Sequence, residues 1–321
     1  MENNAFERIA FSYPGQGSQV TGMGKDAVQD SPLARRLYQD ADEVLGFPLS
    51  RVCFEGDEEQ LRDTAVTQPA VFLTSLVFTR LLAERGVRPD VVAGHSLGEY
   101  AALVTAGVLD WTDALRLVRV RGALMAAVNR RRPGSMAGVL GLPAERVEEL
   151  CAQATRQGSG TVQVANYNSA TQTVVSGDTE AVEALARSAR QAGAQHVARL
   201  SVGAPFHSVF MADVEQEFAE HLGAVPFAAP RLPVVANTTA GYLESGTAAR
   251  EALRRQLASP VRWTQTMELL VAAGVTAFVE VGPGRVLSNL SRASAPGAAA
   301  LAVGTVRQLD KAVERLACAP V

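Results

Sequence analysis

The sequence predicts an α/β protein: a large domain on a parallel sheet, with a small α+β unit of ferredoxin-like order inserted into it. Three observations carry this prediction. Short apolar runs alternate with longer helical patterns in the first 131 residues and again beyond residue 203. The run Asp90-Val91-Val92-Ala93 ends in Gly94-His95-Ser96-Leu97-Gly98, and a helix-forming stretch from Glu99 to Val104 follows at once. Between them, residues 132–202 carry their own β-α-β-β-α-β succession. The expected domains are therefore 1–131 with 203–321, and 132–202.

Taken in order, Ile9-Ala10-Phe11-Ser12-Tyr13 is a buried strand that runs into the glycine-rich Pro14-Gly15-Gln16-Gly17-Ser18-Gln19. That loop lacks the lysine of a phosphate loop. A helix is expected over 31–45, with Ser31 as its N-cap and Pro32 at the first position. Another opens at Thr67-Gln68-Pro69, runs through the apolar 70–85 and stops at Gly86. Asp110 starts a long helix that reaches about Asn129, and Arg130-Arg131-Arg132-Pro133-Gly134 forms the entry to the insertion. Inside the insertion the pattern predicts strands at 135–140, 161–165, 171–176 and 196–202, and helices at 143–157 and 179–192. Strands at 232–237 and 277–281 return to the main sheet, and 294–300 reads as loose.

Composition narrows the function. The 321 residues are 47% hydrophobic with net charge −3, enough for a large core and without general affinity for nucleic acid. The three cysteines, Cys53, Cys151 and Cys318, form no pair or framework, which suits a reducing cytoplasm. No two of the four histidines have metal-ligand spacing, so no metal is expected. No secretory signal and no apolar run of membrane-spanning length is apparent, and the expectation is a cytoplasmic protein without a membrane partner.

Gly94-x-Ser96-x-Gly98 between strand and helix is the setting of a nucleophile elbow, so the large domain is hydrolase-like. The helix below it presents free N–H groups and a positive dipole end to developing negative charge. A serine needs a base. His207, in the Gly/Pro loop where the insertion rejoins the main domain, is the best placed; His95 points away around the elbow, His196 lies in a strand and His221 on a polar helix. The N–H of Leu97 is one oxyanion donor, and the loop around Gln16 is the source of the second. Arg121 has Leu117, Val118, Leu124 and Met125 on its own helix face. A buried guanidinium there needs an anion, unless it snorkels or pairs with an internal carboxylate. Arg116 and Arg119 read as solvated charge.

Tyr13 to Gln19, Gly94 to Tyr100, Arg121, 166–177, Phe206-His207-Ser208 and Val281-Gly282-Pro283-Gly284 occur in this order. Together they resemble the malonyl-CoA:acyl carrier protein transacylases, including the acyltransferases of polyketide synthases. The resemblance covers residues 11 to about 290. It departs at Tyr13, where phenylalanine is common, and at Pro205. It implies Ser96 as nucleophile, His207 as base, and the amides of Gln16 and Leu97 as oxyanion hole. It implies that Arg121 holds a malonyl carboxylate, that Phe206 contacts substrate, and that the backbone carbonyl of Gln256 orients the histidine. The expected reaction moves a malonyl-type group from coenzyme A to the phosphopantetheine thiol of an acyl carrier protein, in fatty acid or polyketide synthesis, with no metal or cofactor. Carriers in this resemblance are acidic, which makes Arg130, Arg131 and Arg132 candidates for docking. A transferase of a different or larger acyl group, and a carrier-protein acyl hydrolase, are the alternatives.

Overall fold

Two sheets organise the chain in the computed structural model, which describes residues 6, 8–200, 202 and 204–317. The elements are β1 (Ile9–Tyr13), α1 (Lys25–Asp30), α2 (Pro32–Leu45), α3 (Leu49–Glu55), α4 (Glu58–Arg62), α5 (Thr64–Glu84), β2 (Val91–Gly94), α6 (Gly98–Thr105) and α7 (Trp111–Arg131). They continue with β3 (Ser135–Leu140), α8 (Ala144–Arg156), β4 (Val162–Ser169), β5 (Gln172–Gly177), α9 (Thr179–Gln191), β6 (His196–Arg199), α10 (Ala212–Gly223), β7 (Val234–Val235) and α11 (Gly246–Gln256). Last come β8 (Val261–Arg262), α12 (Trp263–Ala272), β9 (Ala277–Val281), α13 (Val286–Ser294), β10 (Ala299–Val303) and α14 (Val306–Ala317). Ser201 in the expected 196–202 strand, Gly203 at the expected return to the main domain, and Cys318 lie outside the described residues.

The first sheet is parallel throughout, in the order β10-β9-β1-β2-β7. β2 and β9 are buried along their whole length, as strands covered by helices on both faces must be. The second sheet runs β6-β3-β5-β4-β8. Its first four strands are antiparallel in the ferredoxin-like order. The insertion is not closed on itself, however. β4 runs past the expected residue 165 to Ser169 through two register shifts, and its outer edge pairs in parallel with β8, Asn166 opposite Val261 and Tyr167 opposite Arg262. An open strand edge with free backbone groups is thereby covered by a strand from the other part of the chain.

Caps fall where the residue types place them. Ser31 accepts from Leu33 N at 3.2 Å and Ala34 N at 3.4 Å, with Pro32 opening α2. Asp110 accepts from Thr112 N at 2.8 Å to start α7. That helix continues through Arg131, beyond the expected Asn129. Residues 294–300, expected to be loose, end in β10, which pairs with β9 in parallel. Small residues suffice there because this is an edge strand covered only in part.

α5 departs most from expectation. It begins at Thr64, under an N-cap bond from Ala65 N to Asp63, and carries Pro69 inside it. Proline has no N–H, so the carbonyl of Ala65, four residues back, loses its helical donor. Arg119 Nη1 donates to that carbonyl at 2.5 Å, and its guanidinium lies 4.9 Å from the centroid of the Phe47 ring. Arg119, expected as solvated charge, thus pins α7 to α5. The helices also meet closely at Gly122, where a Cβ would stand 2.7 Å from Thr64 O. Contrary to the expectation that no run has membrane-spanning length, α5 is long and apolar enough to cross a bilayer. Val71, Leu73, Val77, Phe78 and Leu82 are instead fully buried in the main core. Arg119→Ala is expected to lower stability by about 1–2 kcal/mol, the scale of a charged hydrogen bond. In a Pro69→Ala background, where residue 69 regains its N–H, the loss should shrink. Urea midpoints of the four proteins measure the coupling.

Candidate active site

The elbow is built by exclusion of side chains. Ser96 stands at φ 52°, a left-handed conformation that costs a non-glycine residue roughly 1–3 kcal/mol. A Cβ on Gly94 would lie 1.9 Å from the carbonyl carbon of Gly98, and one on Gly98 would lie 2.0 Å from Tyr13 O. Asn237, just beyond β7, staples the turn. Its Oδ1 accepts from Ser96 N at 2.6 Å and its Nδ2 donates to Gly94 O at 2.5 Å. His95 N donates to Tyr13 O at 2.9 Å and ties the elbow to β1.

His207, also left-handed at φ 55°, places Nε2 2.7 Å from Ser96 Oγ. Its Nδ1 lies 2.9 Å from Gln256 O. A carbonyl only accepts, so the proton sits on Nδ1, and the Nε2 lone pair faces the serine hydroxyl. Burial, reinforced by the charge of Arg121, lowers the histidine from its ordinary 6.5 to about 3. The ring is therefore neutral and able to accept a proton. A backbone carbonyl holds it where a full triad would use a carboxylate.

Arg121 reaches this centre from α7 and is 1% exposed. Its Nη2 donates to Ser96 Oγ at 3.0 Å and to Gln256 Oε1 at 2.9 Å, and its Nη1 to Gln68 Oε1 at 2.7 Å. Its Nε has no partner among the described residues. Every acceptor is neutral, and burial pulls the guanidinium below its usual pKa. Gln256 does more than orient the histidine. Its Nε2 donates to Ser96 O at 2.9 Å and to Glu99 Oε2 at 2.6 Å. Glu99 has no exposed surface, and burial raises its carboxyl to about 7.

The loop after β1 lies against the elbow, since a Cβ on Gly15 would come within 2.7 Å of His95 O. Neither Gln16 N nor Leu97 N donates to another group among the described residues. Both amides are available to an oxyanion. The Gln16 side chain is anchored on Thr64 Oγ1 at 3.1 Å. A cleft of about 380 Å³ opens beside the Gln16 loop, lined by residues from both parts of the chain, among them Gln16, His95, Asn166, Asn168, Val286 and Leu287. Asn168 Oδ1 lies 2.9 Å from His95 Nε2, so the small sheet touches the elbow directly. Glu280, buried at the end of β9, accepts from Leu287 N at 3.0 Å and Ser288 N at 2.8 Å. That carboxylate fixes the first turn of α13, which forms the opposite rim.

Of the residues singled out from the sequence, Ser96, His207, Arg121, Gln256, Leu97 and Gln16 lie together around the elbow. Phe206 is buried in the main core beside His207. Arg130, Arg131 and Arg132 are exposed, but two of them face their own surface. Arg131 lies 3.8 Å from Glu217 on α10, and Arg132 lies 3.8 Å from Asp178 and over the Phe210 ring at 4.0 Å. Gln68, Glu99, Asn168, Asn237 and Glu280 were missed. Glu99 alone carried a signal, an acidic residue in the otherwise apolar first turn of the elbow helix.

An acyl-transfer centre of this build defines the class, and comparison with known proteins agrees. Residues 10–316 match the acyl transferase domain model, and the chain belongs to that family. It is 40% identical over 309 residues to a malonyl CoA-acyl carrier protein transacylase of Bacillus subtilis, covering 96% of this chain and 97% of the relative. Among solved structures, an acyl carrier protein S-malonyltransferase from Vibrio cholerae superposes with TM-score 0.91 at 37% identity, covering 95% of this chain and all of the other. A malonyl-transacylase solved in complex with its type II polyketide synthase acyl-carrier protein does so with TM-score 0.93 at 38% identity, covering 96% and 100%.

The histidine sets a pH expectation. Because the folded pKa is depressed, the unfolded chain binds the extra proton between pH 3 and 6.5. The contribution of His207 to stability is thus fully present above 6.5 and lost as pH falls towards 3. As long as the fold persists, kcat/KM for acylation should fall by no more than about twofold from pH 6.5 to 5, because the base stays neutral. Stopped-flow acylation checks this; an acid limb centred on 6.5 would refute it.

Proposed function

We propose that this enzyme transfers a malonyl group from coenzyme A to the phosphopantetheine thiol of an acyl carrier protein, through an ester on Ser96. Family membership supports acyl transfer, and the observation that selects the acyl group is Arg121. A fully buried cation, held only by neutral acceptors beside the nucleophile, is suited to a carboxylate brought by the substrate. An uncarboxylated acyl chain would offer it no direct ion pair.

The steps follow from the hydrogen bonds. His207 Nε2 takes the Ser96 proton as Oγ attacks the thioester carbonyl. Leu97 N and Gln16 N receive the oxyanion, a term worth a few kcal/mol per donor. The tetrahedral intermediate collapses, His207 returns the proton to the departing sulfur, and coenzyme A leaves. The carrier thiol then gives its proton to His207 and attacks the Ser96 ester carbonyl; collapse breaks the bond to Oγ, which takes the proton back from His207 as the acyl group leaves on the carrier sulfur. Gln256 O stabilises the imidazolium in both halves. We place the reaction in the cytoplasm, in keeping with Cys53 and Cys151, both buried and free. Arg130, alone of the three arginines without a described ion pair, is the better placed to meet an acidic carrier.

Intact mass after brief exposure to malonyl-CoA tests the reading: wild type should gain one malonyl group and Ser96→Ala none. Labelling that persists in the alanine variant would remove Ser96 from the mechanism. In competition between malonyl-CoA and acetyl-CoA, wild type should prefer malonyl by about 10²-fold or more, the scale of a lost buried charge partner. Arg121→Ala should flatten that preference while Ser96 is still acylated, and Arg121→Lys should restore it only in part, because a point charge replaces a fork. An unchanged ratio in Arg121→Ala would return the arginine to a structural role.

A further inference from the structure

Arg121 touches no carboxylate, yet a buried guanidinium without a counter-charge is costly. Glu99, in the first turn of α6, is the buried acid that shares its network. The connection is one residue long: Arg121 Nη2 donates to Gln256 Oε1 at 2.9 Å, and Gln256 Nε2 donates to Glu99 Oε2 at 2.6 Å. The amide of Gln256 is polarised from both ends, with its oxygen towards the cation and its N–H towards the acid. That fixes which way the amide points, and with it the position of Arg121 against Ser96. Glu99 Oε2 also accepts from Asn237 N at 3.3 Å, whereas Oε1 has no partner among the described residues.

We propose that Glu99 is a positioning residue that serves as the internal counter-charge of Arg121, relayed by Gln256, and that the substrate carboxylate displaces it from that role, so that binding a malonyl thioester carries a proton onto Glu99. The inference rests on the malonyl-transfer reading. Its electrostatics are simple. With Glu99 ionised the empty site is balanced; a second carboxylate on Arg121 would leave one buried negative charge in excess. Uptake of one proton from solvent onto the unpartnered Oε1 restores the balance. The other groups facing Glu99 do not compete for that proton. Its neighbour Tyr100 is held neutral by burial, and Arg121 remains a cation. His207, on the far side of Gln256, is neutral as well. The carboxyl of Glu99 already sits near 7 in the empty site, so the exchange falls within the working pH range.

The test is the ratio of kcat/KM for malonyl-CoA to that for acetyl-CoA as a function of pH. Both thioesters carry the same coenzyme A ionisations, so these cancel. Proton uptake makes the wild-type ratio fall by up to about tenfold per pH unit between 7.5 and 9. Glu99→Gln keeps an oxygen for Gln256 but cannot titrate, and its ratio should be flat across that range. A flat wild-type ratio, or an equal slope in Glu99→Gln, overturns the proposal. Wild type alone provides a second measurement. Stoichiometric acylation by malonyl-CoA at pH 8 in weak buffer should take up close to one proton per site more than acylation by acetyl-CoA, and an equal proton count for the two would refute it. Malonyl labelling of Ser96 without proton coupling sinks the role of Glu99 only; absence of labelling sinks the malonyl reading itself.

Discussion

A guanidinium placed almost out of reach of water governs the site. Arg121 is held on α7 among apolar neighbours, 3.0 Å from the serine oxygen. Such a charge tolerates few arrangements, because each unpaired N–H in a low-dielectric pocket carries a large penalty. Much of the local architecture supplies acceptors for it. Gln68 comes from α5 and Gln256 from the end of α11, and each gives its amide oxygen. The close crossing of α5 and α7, made possible by Gly122, places Gln68 there.

In the proposed mechanism, Gln256 is where catalysis and selectivity share atoms. Its backbone oxygen fixes the tautomer of His207, and its side chain bridges Arg121, Glu99 and the carbonyl of Ser96. Residues bound into one network do not act additively. On the proposed mechanism, a change at any member would shift both the proton-transfer geometry and the seat of the acyl group. Asn237 plays a matching part for the elbow itself, since the strained turn at Ser96 persists only where the surroundings over-determine it.

Much of this was legible in the residues. Ser96 could be read because its chemistry and its backbone constraint lie in one contiguous pentapeptide. Arg121 could be read because a cation on an apolar helix face is an anomaly within a single helix. The ferredoxin-like order of 132–202 followed from periodicity, but the pairing of β8 with β4 did not, because two residues cannot announce a strand. Pro69 reads as part of a helix start, its usual place, since nothing local reveals that Arg119 supplies the missing donor. Gln68, Asn237 and Glu280 were invisible for a common reason. Each is an ordinary polar residue whose role exists only after distant segments meet.

The pairing of β8 with β4 also bears on how the cleft can behave. β8 leads directly into α12 and through it to β9, whereas β4 lies in the heart of the insertion. The two walls of the cleft are thus joined by backbone hydrogen bonds across their seam, and again by His95 and Asn168. A cleft sewn in this way resists gaping like a jaw. Widening it at this seam would break the backbone bonds of a shared sheet. On the proposed reading, adapting the protein to a bulkier acyl group becomes a matter of carving side chains rather than loosening a joint.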